Sequence, residues 1–244
     1  MDKPCSAVIL GVGPERGLGA TLAKYFSAKG LHVFIAGRSE DKLKLVADKL
    51  LSSGGKVTVV VADATQEHDM SHLFEVIQSS GSILQIAVYN VDSNIPAPIL
   101  ETEEETFTKL WQQNCLGAFL FAKEAINLML PNHQGSLIFT GATASLRAKP
   151  PFTAFASAKA ALRSLAQGLA REFSAEGIHV IHTIIDGVID GDRAAQQFPL
   201  YYKEKGKDGL LKLNAIAETY WSIHCQHPSV WTHELDLRPF KEPF

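Results

Sequence analysis

Apolar residues in this chain fall into two kinds of pattern. Short, mainly apolar runs occupy residues 7–10, which is unbroken, and 31–36, 57–62, 84–89, 135–139 and 178–185, the last interrupted at His182 and Thr183. Runs of that length beside turn residues predict strands buried on both faces of a parallel sheet. Between them the spacing changes to three and four. Residues 21–29 carry Leu22, Tyr25 and Phe26 on one helical face and stop at Gly30. Residues 39–51 predict a helix opened by Ser39 and an acidic first turn, and residues 67–78 another. Residues 101–130 give one long helical pattern, interrupted only at Gly117 and ended by Pro131. Residues 149–172 give a turn and then a helix with small residues at Ala156, Ser157, Ala158, Ala160 and Ala161. A last helix is expected over 215–224, followed by a seventh strand from residue 228, with Trp231, His233 and Leu235 alternating. Strand and helix in regular alternation predict one α/β domain over residues 1–244, a doubly wound, Rossmann-like parallel sheet of about seven strands with helices on both faces.

Composition narrows the function classes. No Pro/Gly/Ser-rich linker divides the 244 residues, and 46% hydrophobic with 20% charged residues supports a filled globular core. A net charge of −3 without a basic run argues against nucleic acid as a partner. No stretch approaches the roughly 20 apolar residues that span a bilayer. The first strand starts too early for a signal peptide, so a cytoplasmic protein is expected. Cys5, Cys115 and Cys225 are isolated from one another and read as reduced thiols. His179 and His182 would point to opposite faces of a strand, and His224 and His227 lack a further ligand, so no metal site is expected.

The chemistry begins in residues 6–20, SAVILGVGPERGLGA. Gly13, Gly17 and Gly19 form G-x-x-x-G-x-G between an apolar run and a helix start. Alone, this is either a phosphate loop or a tight turn with no ligand; the strand-helix-strand context adds weight to a dinucleotide. At the tip of the second strand the chain reads Ala36-Gly37-Arg38-Ser39, with no carboxylate. Arg38, with Arg16 in the glycine loop, suits a phosphorylated ribose; the plainer reading of Arg38 is a solvated loop residue. Asp63 follows the third strand, where it would accept from an adenine amino group or cap a helix, and Asn90 lies just past the fourth.

Gly13, Gly17 and Gly19, then Asp63, Asn90, Asn114 and Lys159, come in the order and spacing of the short-chain dehydrogenase/reductase family, which the chain resembles over most of its length. The resemblance implies NADP(H) held by Gly13, Arg16, Gly17, Leu18, Gly19, Arg38, Asp63, Ala64, Asn90, Lys159 and Val188. It gives Lys159 the nicotinamide ribose and Asn114 a water of the proton relay, with a substrate loop near 187–214. It also implies a small-molecule substrate and a homodimer or homotetramer built on the helices at 107–130 and 152–173, though close packing within the fold equally explains the small residues there.

The departures bear on the chemistry. The family's tyrosine, four residues before Lys159, is Phe155, and its serine, thirteen residues earlier, is Ala142. The Asn-Asn-Ala-Gly turn reads Tyr89-Asn90-Val91-Asp92, the Pro-Gly pair reads Asp186-Gly187, and the threonine beyond it is Gly191. Removing a positioned general acid or base costs about 10²- to 10⁴-fold in rate. Thr140 and Thr143 could orient a substrate oxygen, and Asp186, Asp190, Tyr201 and Tyr202 are substitute proton donors to weigh. Two functions follow: an NADP(H)-dependent oxidoreductase acting on a small carbonyl, alcohol or activated alkene with a non-standard proton donor, or a catalytically silent NADP(H)-binding sensor or interaction module.

Overall fold

A computed structural model describes residues 3–242. The first half runs β1 (Cys5–Leu10), α1 (Leu18–Ala28), β2 (His32–Gly37), α2 (Glu40–Ser52), β3 (Val57–Val61), α3 (Glu67–Ser79) and β4 (Ile83–Tyr89). The second adds α4 (Glu104–Trp111), α5 (Gly117–Met129), β5 (Gly135–Thr140), α6 (Thr153–Phe173) and β6 (Ile178–Ile185). Four short elements follow: β7 (Val188–Ile189), α7 (Asp192–Gln197), α8 (Pro199–Lys205) and β8 (Leu210–Leu211). The chain closes with α9 (Leu213–His224) and β9 (Glu234–Leu237). Seven parallel strands form one sheet in the order β3-β2-β1-β4-β5-β6-β9, as the alternating pattern predicts.

Alternate residues of each strand feed opposite faces of the sheet. Val8 and Leu10 pack with Phe34, Tyr89, Phe121 and Phe139 on one side. Ala7 and Ile9 pack with Phe26, Ile35, Ile181 and Tyr220 on the other. All eight residues of β6 are buried, the polar His179, His182 and Thr183 among them, in a segment that is otherwise apolar. The order of connections reverses between β1 and β4, and a ligand crevice opens at the carboxyl ends of such a pair. No helix among the described residues is long and apolar enough to cross a membrane.

Two expected elements change. The helix expected over 101–130 is broken into α4 and α5 by a π-helical turn, Gln112–Leu116. The turn is braced by Tyr89, whose buried hydroxyl donates to the Gln113 carbonyl at 2.6 Å. Gly117 lies against the same ring: a Cβ there would come 2.5 Å from Tyr89 Oη and 2.7 Å from the Ala64 carbonyl oxygen. The extra residue of a π turn swings Asn114 fully inside, and such turns concentrate at functional sites. The seventh strand begins later than the alternation suggests. Pro228–Val230 is a 3-10 turn, and the Gln226 side chain holds Thr232 through two 2.8 Å hydrogen bonds. Trp231 therefore stacks on His179 at 4.6 Å instead of joining the ladder.

Tyr89→Phe would leave the Gln113 carbonyl without its donor inside the protein. We expect a loss of about 1–3 kcal/mol of stability, read by urea denaturation.

Candidate functional site

The glycine loop leaves β1 and turns into α1. Asn90 fixes it to the end of β4, donating from Nδ2 to the Gly11 carbonyl at 3.1 Å. A Cβ on Gly19 would lie 2.8 Å from the Gly11 carbonyl oxygen, so the glycine lets helix and strand close up. Gly13 is different: a Cβ there would meet nothing within 4 Å, so the loop's outer face is open. Gly17 caps α1 without a side-chain hydrogen bond, and the first turn carries no acidic residue. Those free amides suit an anion, so the loop fits the phosphates of a dinucleotide. Leu18 is buried in the core and faces the site only through its backbone.

A cleft beside this loop is lined by Arg38, Asp63, Ala64, Asp92 and Gln113. The strand tip therefore brings Arg38, Asp63 and Ala64 together. Arg38 is exposed, and no carboxylate pairs with it among the described residues. Asp63 Oδ1 accepts from the Thr65 backbone at 3.0 Å and the Thr65 hydroxyl at 2.8 Å, the local capping role open to it in the sequence.

At the other end lies Lys159, only 1% exposed. Its ammonium donates to the Thr140 carbonyl at 3.0 Å, pairs with Asp92 Oδ1 at 3.3 Å, and lies 5.7 Å from the centre of the Phe155 ring. Burial lowers the lysine's pKa while the Asp92 charge opposes the shift. Asn114 donates to the Leu110 carbonyl at 2.9 Å, and its own carbonyl oxygen is buried without a hydrogen-bond partner. That orphan acceptor fits the water implied by the family resemblance.

The other candidates are occupied. Thr140 Oγ1 meets the buried Tyr220 hydroxyl at 3.0 Å. Thr143 donates to Asp186, whose second oxygen takes Arg238 and Arg147, so this carboxylate acts as an acceptor where a proton donor was sought. Asp190 accepts from Arg16, Tyr202 and Lys212. Burial alone would raise the Asp190 pKa, but these donors hold it below the ordinary value. Tyr201 stays half exposed under Lys205, 5.0 Å from the ring centre. Val188 pairs with Leu210 in the small β7-β8 ladder.

Arg16 bonds Asp190 and Tyr202. Gly191 explains how the loop after β6 approaches it: a Cβ at 191 would come 2.9 Å from the Arg16 carbonyl oxygen, so a threonine does not fit this arrangement. Two residues are new to the site. Asp92 bridges Lys159 and Arg193, and Arg193 also bonds Asn94 at 2.6 Å. The sign of Asp92 was its place where the family carries glycine; Arg193 gave none.

A family model described as short chain dehydrogenase matches residues 7–199. The chain belongs to that family. Nicotinamide-cofactor binding and oxidoreductase chemistry are the family's common properties. Similar chains include a short-chain dehydrogenase from Rhodopseudomonas palustris, 33% identical over 98% of this chain and 100% of that one, with a TM-score of 0.83. An uncharacterised oxidoreductase of Staphylococcus aureus is 27% identical over 96% of both chains. A glucose 1-dehydrogenase of Gluconobacter oxydans is 30% identical over 73% of this chain and 68% of its own length.

Behind the vacant serine position, this short-chain dehydrogenase has a buried polar chain. The Ala142 amide donates to Ser145 Oγ at 3.2 Å, Ser145 meets His182 Nε2 at 3.4 Å, and His182 Nδ1 meets Glu234 at 2.9 Å. Arg163 completes it with two bonds to Glu234 at 2.7 and 2.8 Å. The carboxylate fixes the imidazole proton on Nδ1, so Ser145 donates to Nε2. Burial holds His182 at a pKa of about 4, and it does the same to His224, which meets Ser136 at 2.8 Å. Arg163, with His182, draws Glu234 down to about 2.

Stability should respond in two steps. Unfolded histidines take up protons near pH 6.5, folded His182 and His224 only near 4, so their contribution is full above 6.5 and lost as pH falls toward 4. From pH 7 to about 5 we expect each to cost about 2 kcal/mol, and His182→Asn to remove one share, both measured by urea denaturation. Glu234 adds a further loss between about 4.5 and 2.

Proposed function

We propose that this short-chain dehydrogenase is an NADP(H)-dependent oxidoreductase for a small carbonyl, alcohol or activated alkene, and that the activated alkene suits it best. The cofactor choice is supported by the β2 tip. Arg38 stands exposed where an acid would otherwise bond the ribose 2′-hydroxyl, and a guanidinium there favours a 2′-phosphate. The glycine-rich loop would hold the pyrophosphate with its amides, Asp63 and Ala64 would border the adenosine, and Lys159 would hold the nicotinamide ribose.

Bound NADPH supplies a hydride. The observation that carries the reaction class is that, among the described residues, neither position where the family carries a hydroxyl beside Lys159 has one. Phe155 offers only a ring, Ala142 a methyl group, and Thr140, Thr143, Asp186 and Tyr202 are engaged elsewhere. A ketone accepting hydride develops charge on its oxygen and needs a positioned acid. An alkene conjugated to a carbonyl spreads that charge and takes its proton from water. A second reading, a silent cofactor sensor, draws support from Asp92, which already neutralises Lys159.

Stopped-flow oxidation of NADPH against matched enones and ketones tests the reaction class, with turnover expected on enones alone. Ketone reduction at ordinary rates would overturn it, and tight binding with no turnover on either would favour the sensor. Arg38→Ala should weaken NADPH binding by about 10- to 100-fold and leave NADH nearly unchanged.

A further inference from the structure

We infer that Asp92 sets cofactor affinity by competing for Lys159, and that Arg193 transmits the outcome to the segment 187–206. The inference rests on reading the cleft as an NADP(H) site. Asp92 follows the end of β4 and its side chain, 30% exposed, borders the adenosine cleft. Oδ1 lies 3.3 Å from Lys159 Nζ and Oδ2 accepts from Arg193 Nη1 at 2.9 Å. One carboxylate thus neutralises two cations that face the path of a polyanionic ligand.

Arg193 belongs to α7, and its guanidinium has no slack. Nη1 also donates to the Asp92 backbone carbonyl at 3.2 Å, Nη2 to Asn94 at 2.6 Å, and Nε to Gln197 at 3.2 Å. The same segment is tied to the glycine loop by Arg16 with Asp190 and Tyr202, and by the Asp192 amide, which donates to the Arg16 carbonyl at 2.9 Å. A ligand that takes over Lys159 leaves the Asp92 carboxylate to Arg193 alone, and Arg193 keeps its bonds to the Asp92 carbonyl and to Asn94. Cofactor binding at Lys159 and the grip of Asp92 on this segment are thereby coupled.

Charge dictates the sign. With Asp92 present, the approach of phosphate groups meets an anion whose field is balanced only while both cations stay on it. Replacing the carboxylate by an isosteric amide frees Lys159 for the ligand. Removing Arg193 alone does the reverse, leaving the carboxylate half compensated.

NADPH titration by fluorescence on wild type, Asp92→Asn, Arg193→Met and the double variant tests this, with thermal denaturation of the free proteins alongside. Asp92→Asn should bind NADPH about 10-fold more tightly and melt at a lower temperature without ligand, because Lys159 loses its counter-ion. Arg193→Met should weaken NADPH binding when Asp92 is present and change it little in the Asp92→Asn background. Unchanged or weaker binding by Asp92→Asn overturns the inference while leaving the cofactor site intact, as does an Arg193→Met effect that persists without Asp92. If neither NADPH nor NADH binds any of the four proteins, the cofactor reading falls and the inference falls with it.

Discussion

A buried ammonium must be paired, and that requirement shapes the reacting end of this protein. Removing a lysine from water costs several kcal/mol unless hydrogen bonds and an opposite charge replace the lost hydration. Lys159 meets the requirement with three partners from three elements: the Thr140 carbonyl at the end of β5, the Asp92 carboxylate beyond β4, and the face of Phe155 one turn away in α6. The cation thus fixes how two neighbouring strand ends and a helix meet. Phe155 cannot offer a hydroxyl, yet its ring remains a favourable neighbour for a positive charge. Loss of the tyrosine therefore removes a proton donor without leaving the lysine beside a merely inert surface.

Lys159 is half of a larger arrangement. Arg163, four residues on and on the same helical face, pairs with Glu234 of β9, so α6 is tethered to the sheet at two successive turns. β9 adds only four residues to the sheet edge, and Glu234 is the one that joins it to both Arg163 and His182. Through His182 and Ser145 the tether reaches the Ala142 amide. Where the family's serine would engage the substrate, the backbone is still held in place by a neighbouring serine pointing inward. The site has kept its frame and lost two hydroxyls.

Most of the frame was legible because its causes are local. Unbroken apolar runs mark strands covered on both faces, and Gly17 and Gly19 sit where backbone atoms come within contact of one another. The π turn was not legible, since its brace is Tyr89 reaching Gln113 across the layers, and nothing in the spacing of residues 101–130 records that contact. The late start of β9 has a similar origin in the Gln226–Thr232 clamp. Arg16 shows the limit for charged groups. Its position in the glycine loop follows from the motif, but its direction is set by Asp190 and Tyr202, more than 170 residues away. Asp92 was visible as a departure from the family's turn, while its meaning needed Lys159 and Arg193 placed beside it.

The two ends of the cleft consequently differ in what a bound anion would have to displace. At the adenosine end the α1 amides and Arg38 carry no carboxylate among the described residues. At the reacting end Arg16, Lys159 and Arg193 are each matched to an aspartate. Opening a buried ion pair is expensive because it strands a charge, and the ribose hydroxyls that Lys159 would hold are neutral, so the Asp92 carboxylate must stay close to the lysine or rest on Arg193. A dinucleotide anchored first at the open end would have its pyrophosphate neutralised by the helix before its ribose reached Lys159. The ion pairs that hold the segment after β6 in place are therefore the same ones that a ribose at Lys159 would have to rearrange.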